Sequence, residues 1–588
     1  MSKKFHELNI SEKHHPFLEN LSEQAENPER IPFVGRGEEL EAVMETLLRK
    51  LKSNLLLVGK PGVGKTALIT ELASRINSGN VHPSLKGKVI FELAMNRFFL
   101  KGESGQKIIN EFEGLFSELI KNRDKIILFL NEMEIGSIAG REEKKYSSGI
   151  QDLLKSYFVN RELKLIGATT PDYYYRFMKS DDFLSMNFST VFLEEPDQNV
   201  VLDILSGISS YFENYYSVKI KKKILSQIFE LSSRFIPHRN FPGKGVELLD
   251  SSCSKASVRG EKELKIGHIY KSLSDITKLP PEIIKLDPVK HASGILSHLK
   301  KKIVNQSLAL EEVARIIKLS RFEADKAGSR AEGVFLFLGP PGVGKSYIAR
   351  EIADYLFGSR DKLRVIDLSE YKSPKDTKKL ILGPEGEMGE LIREFELHPF
   401  SVIYFENIDK THTSTLEFIR DILDRGEVLD PSGKKYCVSN KIFVFSLTRI
   451  GSEVSKSQIG FVKGSKVLSR IVIPPKIINV LDWVDEIIEF SPLGKESLEK
   501  IAVNEMEEVS DEIGAKFKKN LVFDKKISKI LSEEAAKRGG SAHMIVEFVE
   551  REIRSVLIDY VTGKNIRSDK LYVKFKNNRI EVSENGNK

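Results

Sequence analysis

The sequence predicts an α/β protein in which one strand–loop–helix unit occurs twice. Two observations carry this prediction. An apolar run leads directly into the pattern GxxxxGK[ST] at residues 334–346, and the same arrangement occurs at residues 54–66. In both places a segment with helical spacing follows, so the strand, loop and helix come in the order of a P-loop. Because the whole unit recurs, the chain contains an internal repeat.

The second copy, VFLFLGPPGVGKS, shows why each residue type is needed. Its apolar residues form a buried parallel strand. Gly339, Gly342 and Gly344 let the backbone turn tightly, so that its N–H groups surround a polyphosphate. Lys345 is expected to reach the β- and γ-phosphates, and the Ser346 hydroxyl is expected to bind Mg²⁺. The N-terminus of the following helix points its partial positive charge at the same anion.

The first copy, NLLLVGKPGVGKT, has its phosphate-binding residues at the same spacing. They are Gly59, Gly62, Gly64, Lys65 and Thr66, with the Thr66 hydroxyl as the Mg²⁺ ligand. A chance match in a surface turn does not explain two copies that share strand, loop and helix. The chain is therefore predicted to bind nucleoside triphosphate, or to descend directly from a protein that did.

Composition argues against several other classes of protein. The 588 residues are 40% hydrophobic and 30% charged, as in soluble proteins of several domains. The net charge of +7 is small beside 91 basic and 84 acidic side chains, which gives no indication of a nucleic-acid interface. Neither a signal peptide nor a membrane span is recognisable, and this predicts a cytoplasmic protein. Cys253 and Cys437 are isolated and form neither a disulfide framework nor a metal ligand set.

Several further segments share a pattern with one known family. In the first half they are VGR, EEL and the P-loop within residues 31–76, and GATTPDYYYRF at 167–177. They continue with TKLPPEII at 277–284 and with IDLSEYKS, which begins at Ile366. Together these segments resemble the Clp family of AAA+ unfoldases. The resemblance covers the chain from about residue 30 onward. It leaves out the globular N-terminal domain and the coiled-coil middle domain of some members.

The resemblance implies two tandem P-loop AAA+ modules, each a parallel α/β core with a helical lid subdomain. The implied boundaries are an N-terminal arm at 1–30, a first core at 31–195, a first lid at 196–285, a second core at 286–490 and a second lid at 491–588. The last segment, LYVKFKNNRIEVSE, reads as a hairpin turned at Asn577-Asn578. The resemblance also implies ATP and Mg²⁺, a hexamer of identical or mixed Clp subunits, protein clients and a ClpP-like peptidase as partner.

The residues at the family's hydrolytic positions depart from its pattern. In the family a buried strand ends in Asp-Glu, where the Asp supports Mg²⁺ and the Glu activates the attacking water. The first module keeps the base as Glu132 but has Asn131 on the metal side. The second module has Glu406 on the metal side and Asn407 in place of the base. An amide cannot accept the proton of the attacking water.

Sensor and arginine-finger positions continue this trend. Thr169 and Thr170 match the sensor threonines of the first module. Arginine fingers neutralise charge in phosphoryl transfer and are worth roughly a thousandfold in rate. The residues at these positions are Met186 and Asn187 in the first module and Ile478 and Val480 in the second, with Arg449 and Ala542 at the second module's sensor positions. The resemblance therefore implies weakened hydrolysis.

The loops that grip polypeptide in the family are also altered. FFLKGESGQK stands at the first pore-loop position, where Phe98 or Phe99 could replace the usual Tyr, although Phe in an irregular stretch more often packs into a core. LILGPEGEMGELI stands at the second, with Glu385, Glu387 and Met388 but no aromatic residue. Weakened threading is the expected consequence.

One short motif of the family is kept. Ile459, Gly460 and Phe461 lie where Clp subunits carry the loop that inserts an apolar tip into ClpP. Two large apolar side chains around a glycine, flanked by Lys, Ser and Gln, form a hydrophobic knob on a polar loop. The alternative is that both side chains fold back onto the core. The match in position favours docking on a ClpP-like peptidase.

The remaining candidates have simpler interpretations, and three functions stay open. His14 and His15 are read as solvated residues of a mobile arm, and Trp483 as a core residue. The first function is a regulatory Clp subunit that binds ATP and docks on the peptidase. The second is an active ATP-dependent unfoldase that hydrolyses ATP mainly in the first module, either alone or in a mixed ring with ordinary Clp subunits. The third is an interaction scaffold without a nucleotide role.

Overall fold

The structure is a computed structural model of the 588-residue chain. It describes residues 3–99, 105–131, 163–179, 181–327, 330–384, 387–430, 434–448, 477, 480–563, 568–576 and 579–584. The chain divides into two compact units, Met1–Ile276 and Thr277–Lys588.

A six-stranded sheet forms the centre of the first unit. Its strands are β1 Leu18–Asn20, β2 Asn54–Gly59, β3 Val89–Leu93, β4 Ile126–Leu130, β5 Lys164–Thr169 and β6 Phe188–Leu193. In space they follow the order β1-β3-β4-β5-β2-β6. All neighbours are parallel except β1, which runs antiparallel to β3. β2 and β4 are buried throughout, as expected for parallel strands covered on both faces.

Helices cover this sheet and then form a separate lid. The helices of the core are α1 Gly37–Leu48, α2 Lys65–Asn77 and α3 Gly105–Lys121, and those of the lid are α4 Gln198–Tyr216, α5 Lys222–Phe235, α6 Gly243–Val258 and α7 Ile266–Thr277. Apolar residues of the lid helices recur at helical spacing, and α5 buries Ile224, Leu225, Ile228 and Phe235 on one face. The parallel core and helical lid confirm the predicted fold class for this module.

Residues 3–30 do not form the separate arm that the sequence predicts for residues 1–30. β1 adds to the edge of the sheet, with Leu18 opposite Leu93. Phe5, Leu8 and Phe17 are buried in the same hydrophobic cluster as the sheet. The prediction was wrong because the apolar residues of this segment are spread among charged ones, and their partners lie far along the chain.

The prediction that His14 is solvated is wrong for the same reason. Its side chain is 1% exposed, and Nδ1 lies 2.8 Å from an Oε2 atom of Glu118 on α3. The Ser11 hydroxyl donates to the other carboxylate oxygen of Glu118 at 2.9 Å. His15 is half-buried, and its Nε2 is 3.0 Å from the carbonyl oxygen of Ile10. The acidic partner that the local sequence lacks is supplied by a helix about a hundred residues away.

The second unit repeats the α/β core. Its five-stranded sheet has the order β13-β7-β12-β9-β8, with all neighbours parallel. The strands are β7 Gly333–Gly339, β8 Leu363–Asp367, β9 Ser401–Glu406, β12 Lys441–Thr448 and β13 Glu486–Glu489, and β10 Glu427–Leu429 pairs with β11 Lys435–Cys437 in a separate hairpin. Trp483 is partly buried against this core, as predicted.

Helices and a small sheet complete the second unit. The helices flanking the core are α8 Ile295–Lys302, α9 Ser307–Ala327, α10 Lys345–Phe357, α11 Glu390–Leu397 and α12 Thr413–Arg425. The lid contains α13 Lys495–Phe517, α14 Lys525–Lys537, α15 Ala542–Phe548 and α16 Ser555–Gly563, with strands β14 Asn520–Phe523, β15 Lys570–Lys576 and β16 Arg579–Ser583. β15 and β16 form the predicted antiparallel hairpin, and β14 pairs parallel with β15.

The segment that follows α7 packs with the second unit. Leu279 and Ile284 are buried. A Cβ on Gly358 would come within 2.8 Å of Pro280 Cγ and 3.0 Å of Ile283 Cγ1. The sequence places this segment in the first lid, but its apolar residues are buried against the core that follows it. Across the described residues, no helix is both long and apolar enough to cross a membrane.

Candidate functional site

The first P-loop joins β2 to α2 and has the geometry of a phosphate-binding turn. Gly62 and Gly64 have φ angles of +84° and +102°, which side chains with a Cβ rarely adopt. The Lys65 ammonium donates to the carbonyl oxygens of Gly59 at 2.6 Å and Lys60 at 3.2 Å. Thr66 is exposed at the start of α2. The loop therefore presents an exposed hydroxyl and a folded-back lysine on one surface.

Two neighbouring strands bring further polar groups to this loop. Asn131, directly after β4, places its amide nitrogen 3.5 Å from the Thr66 hydroxyl. Thr169 ends β5 opposite Val58 of β2 and is 2% exposed. Asn131 and Thr169 thus lie at the edge of the sheet where the P-loop begins. Glu132, the predicted base, lies outside the described residues.

The second P-loop joins β7 to α10 in the same way. Gly342 and Gly344 have φ angles of +71° and +102°. The Lys345 ammonium donates to the carbonyl oxygens of Gly339 at 2.8 Å and Pro340 at 2.7 Å. Burial lowers the pKa of Lys345 to about 8, and the negative charge of Glu406 opposes this shift. Ser346 is exposed at the start of the helix, where the sequence places the second metal ligand.

Two carboxylates end adjacent strands beside Lys345. Asp367 of β8 pairs in register with Glu406 of β9. Burial raises the pKa of Glu406, the negative charge of Asp367 raises it further, and Lys345 acts in the opposite sense. Burial also acts to raise the pKa of Asp367, but hydrogen bonds from Asn407 and Ser369 outweigh it and leave that pKa lowered. Asp367 is therefore the more readily ionised of the two.

Asn407 is held in place on both sides of its amide group. Its Nδ2 donates to Asp367 Oδ1 at 2.8 Å, and its Oδ1 accepts from the Lys410 ammonium at 3.0 Å. Its backbone is left-handed, with φ +55°. Asp367 and Lys410 are parts of the site that were not predicted from the sequence. A signal for Asp367 exists, since it ends an apolar strand as Glu406 does.

In both modules the lid reaches the P-loop through one backbone hydrogen bond. The amide of Gly243 in the first lid donates to the carbonyl oxygen of Gly62 at 3.0 Å. The amide of Ala542 in the second lid donates to the carbonyl oxygen of Gly342 at 2.9 Å. A Cβ on Gly342 would lie 1.9 Å from the Ser541 hydroxyl oxygen. The glycines at these positions are therefore required by close approach as well as by φ.

Comparison with known families finds three matches in chain order. Residues 55–174 match the ATPase family associated with various cellular activities (AAA), residues 197–297 an AAA lid domain, and residues 330–551 an AAA domain of the Cdc48 subfamily. Among curated proteins, the ATP-dependent Clp protease ATP-binding subunit ClpE of Bacillus subtilis (strain 168) is 28% identical over 596 residues, covering 90% of this chain and 84% of that protein. The subunit ClpL of Staphylococcus aureus (strain USA300) is also 28% identical, over 92% of this chain and 84% of its own length.

The chain belongs to the Clp family of tandem AAA+ proteins. Solved structures show the same fold. The Hsp104–ADP complex of S. cerevisiae has a TM-score of 0.71 at 24% identity, covering 96% of this chain and 98% of that chain. The extended Hsp104–casein complex of S. cerevisiae has a TM-score of 0.63 at 23% identity, covering 97% of this chain and all of that chain.

The arginine-finger positions of this Clp-family chain carry no guanidinium group where the structure describes them. Met186 is 66% exposed and Asn187 is half-buried at the start of β6. Val480 is fully buried in the second core. The sensor position Ala542 presents a methyl group beside the P-loop. Arg449 and Ile478 lie outside the described residues.

The pore-loop positions differ between the two modules. Phe98 is 1% exposed and stacks on Phe17 with ring centroids 4.0 Å apart, so it packs in the core as the simpler interpretation predicts. In the second module a bridge between Leu382 and Met388 closes a short turn, and both side chains are exposed. Glu387 is exposed in the same turn, whereas Glu385 and the docking motif Ile459, Gly460 and Phe461 lie outside the described residues.

Proposed function

We propose that this Clp-family chain binds ATP with Mg²⁺ in both modules and acts as a regulatory subunit of a ring that docks on a ClpP-like peptidase. In this proposal its own hydrolysis and threading are weak. The curated relatives ClpE and ClpL, which are named as ATP-binding subunits of Clp protease, support the assignment to such an assembly.

The observation that carries the proposal is the environment of Asn407. A general base needs a free lone pair within reach of the attacking water. The Asn407 oxygen instead accepts from Lys410, and its nitrogen donates to Asp367. These bonds hold the amide as a fixed link between the end of β8 and the turn after β9. The second module therefore keeps a nucleotide cradle beside a residue that cannot activate water.

The metal-side residues fit Mg²⁺, with different charge in the two modules. Mg²⁺ prefers oxygen donors and supplies charge neutralisation on the phosphates when it is bound. In the first module Thr66 and Asn131 offer neutral oxygens at the same edge of the sheet. In the second module Ser346 and Glu406 would hold the ion, and Glu406 adds a carboxylate. We therefore infer weaker support for Mg²⁺ in the first module.

The packing of Phe98, one of the two candidate pore residues of the first module, supports weak threading. Phe98 is sequestered between Phe17 and Phe112, with centroid distances of 4.0 and 5.4 Å. Arg97, its neighbour, donates to the carbonyl oxygen of Pro16 at 2.7 Å. A side chain held in this way is unavailable to grip a polypeptide.

The second candidate is an active unfoldase that hydrolyses ATP in the first module. It is favoured by the proximity of Asn131 to Thr66, because an amide at this place keeps the shape of the usual aspartate. Glu132 follows it in the sequence as a base. An ordinary Clp subunit in a mixed ring would have to supply the missing arginines.

Phosphate release by the purified protein, with and without an added active Clp subunit, separates these candidates. The regulatory function predicts little release by the protein alone, together with saturable binding of a fluorescent ATP analogue. Turnover by the pure protein at the rate of ordinary family members would overturn it. Failure to bind the analogue at micromolar concentrations would favour the scaffold function instead.

Two further variants test assembly. Lys345→Ala is expected to abolish nucleotide binding in the second module and to weaken the ring, which light scattering measures. Phe461→Ala is expected to reduce capture of a ClpP-like peptidase while ATP binding stays unchanged. Equal capture of the peptidase by wild type and Phe461→Ala would contradict docking through this motif.

The cytoplasmic location expected from the sequence stays a prediction.

A further inference from the structure

Arg36 contacts the first P-loop and the end of β6 at the same time. Its Nη2 donates to the carbonyl oxygen of Glu194 at 2.6 Å and to that of Val63, inside the P-loop, at 3.2 Å. Its Nη1 forms an ion pair with Glu39 at 2.7 Å. The side chain is 8% exposed, so the guanidinium group is largely shielded from solvent. A planar cation with several donors can join separate backbone segments in this way.

Glu195, which follows Glu194, binds the lid through its carboxylate. One carboxylate oxygen of Glu195 accepts from the amide of Phe241 at 2.7 Å and lies 3.6 Å from the Lys244 ammonium. Both partners belong to the loop and first turn at the start of α6. The amide of Gly243, between them, donates to the carbonyl oxygen of Gly62.

A second bond joins the same lid loop to the P-loop. The Asn240 amide nitrogen donates to the carbonyl oxygen of Pro61 at 2.9 Å. Three successive P-loop carbonyls, at residues 61–63, are therefore bonded from outside the loop. Because carbonyls directed outward leave the intervening N–H groups free to face a ligand, these bonds favour the phosphate-binding shape of the turn.

These contacts form a closed circuit of hydrogen bonds. It runs from Arg36 to the P-loop at 61–63, from there to the lid loop at 240–244, then to the hinge at 194–195, and back to Arg36. Val34, two residues before Arg36, packs closely against the lid, since a Cβ on Gly207 of α4 would lie 2.6 Å from Val34 Cγ2. The core, lid and P-loop of the first module are thus linked at one corner.

The second module supplies an internal comparison. Gln306 occupies the position of Arg36 in the corresponding segment IVNQ. Its side chain both donates to and accepts from the backbone of Ser491, in the hinge that follows β13. Its Nε2 donates to the carbonyl oxygen of Ser491 at 2.9 Å, and its Oε1 accepts from the Ser491 amide at 3.1 Å. These two side-chain hydrogen bonds of Gln306 go to the hinge, whereas the Arg36 side chain divides its bonds between the hinge and the P-loop.

We propose that Arg36 is a positioning residue for the phosphate-binding loop of the first module, and that it acts by closing this circuit between hinge, lid and loop. The inference rests on the proposed nucleotide binding of that module. It assigns no contact between Arg36 and the nucleotide. Its effect passes through the carbonyl of Val63 and the shape of the loop.

Amide hydrogen exchange of the full-length, nucleotide-free protein tests this directly. In Arg36→Ala the amides of Lys60, Gly62, Val63 and Gly64 are expected to exchange about tenfold faster, the size expected for losing a charge-assisted hydrogen bond. The amides of Gly342, Val343 and Gly344 in the second module should be unchanged. Gln306→Ala is the matched control, because it removes a hinge contact in the other module and should leave residues 60–64 unaffected. Unchanged exchange at residues 60–64 in Arg36→Ala would overturn the inference.

Nucleotide binding supplies the second readout. In a Lys345→Ala background, binding of a fluorescent ATP analogue should weaken about tenfold on Arg36→Ala, with partial recovery in Arg36→Lys. If Arg36→Ala does not fold, Asn240→Ala tests the circuit from the lid side and should accelerate the same amides. Equal affinity of Lys345→Ala and of the double variant Arg36→Ala/Lys345→Ala would refute the positioning role. Failure of the parent protein to bind the analogue would refute the proposed function, and hydrogen exchange would still decide the inference.

Discussion

Substituting Gly342 by Ala should separate the second lid from its P-loop. The new Cβ would lie 1.9 Å from the Ser541 hydroxyl oxygen and 2.9 Å from its Cα. Because one of these atoms is backbone, a rotamer change of Ser541 alone does not relieve the overlap. The lid has to move away, and the hydrogen bond from the Ala542 amide to the carbonyl oxygen of Gly342 is lost.

Gly344→Ala provides the matched control. Gly344 has a φ of +102°, against +71° for Gly342, but a Cβ there would meet no atom within 4 Å. Both substitutions carry a backbone strain of about 1–2 kcal/mol. Only Gly342→Ala adds overpacking of about 1–3 kcal/mol and the loss of a hydrogen bond worth about 0.5–1.5 kcal/mol. The second core should therefore lose about 3 kcal/mol more unfolding free energy in Gly342→Ala.

The fluorescence of Trp483 measures this difference in the intact protein. The chain has one tryptophan, and it is partly buried against the second core. Urea titrations followed at this residue therefore report unfolding of the second core without a contribution from the first. Equal urea midpoints for Gly342→Ala and Gly344→Ala would show that the lid contact adds nothing to stability and would refute the reasoning.

Three further outcomes follow from the site and the core. Asn131→Asp should raise phosphate release at limiting Mg²⁺ several-fold by restoring a carboxylate on the metal side of the first module, and unchanged release would contradict the metal role. Asn407→Glu alone should stay inactive in the second module because its carboxylate would face Asp367, whereas adding Asp367→Asn should raise phosphate release; a rise in the single variant would contradict this. Burial lowers the pKa of Lys441 to about 7, below the value of about 10.4 for an unfolded chain. Between these two pH values the unfolded state therefore binds more protons than the folded state. The free energy of unfolding should then rise with pH across this window. Lys441→Met should remove this slope in urea titrations, and an unchanged slope would show that another group causes it.

The parts of the molecule set by local sequence could be predicted well. Each P-loop needs glycines at left-handed positions and a lysine after them, and these requirements lie within thirteen consecutive residues. The structure accordingly folds both stretches as strand, loop and helix, with Lys65 and Lys345 at the start of the helices. The parallel strands follow from their apolar runs, and the helical lids from apolar residues at helical spacing.

Features that depend on distant partners could not be predicted in this way. The N-terminal segment reads as polar because its apolar residues are spread among charged ones, and nothing near His14 in the sequence points to Glu118. The burial of Phe98 depends on Phe17, about eighty residues earlier. The identity of the side chain alone shows that Asn407 cannot act as a base. Its bonds to Asp367 and Lys410 could not be predicted, because they depend on how the ends of β8 and β9 lie together in the fold.

Strand β1 has a consequence for how the protein can be handled. It covers the outer edge of β3, and its neighbour Ser22 accepts from the Ile90 amide at 3.0 Å through its hydroxyl oxygen. Removing the first 25 residues would leave the backbone groups of β3 unpaired beside exposed apolar side chains. An uncovered strand of this kind is a template for intermolecular pairing. Forms of the chain that lack these 25 residues are therefore expected to aggregate. The N-terminal segment prevents self-association through this sheet by covering the edge of β3.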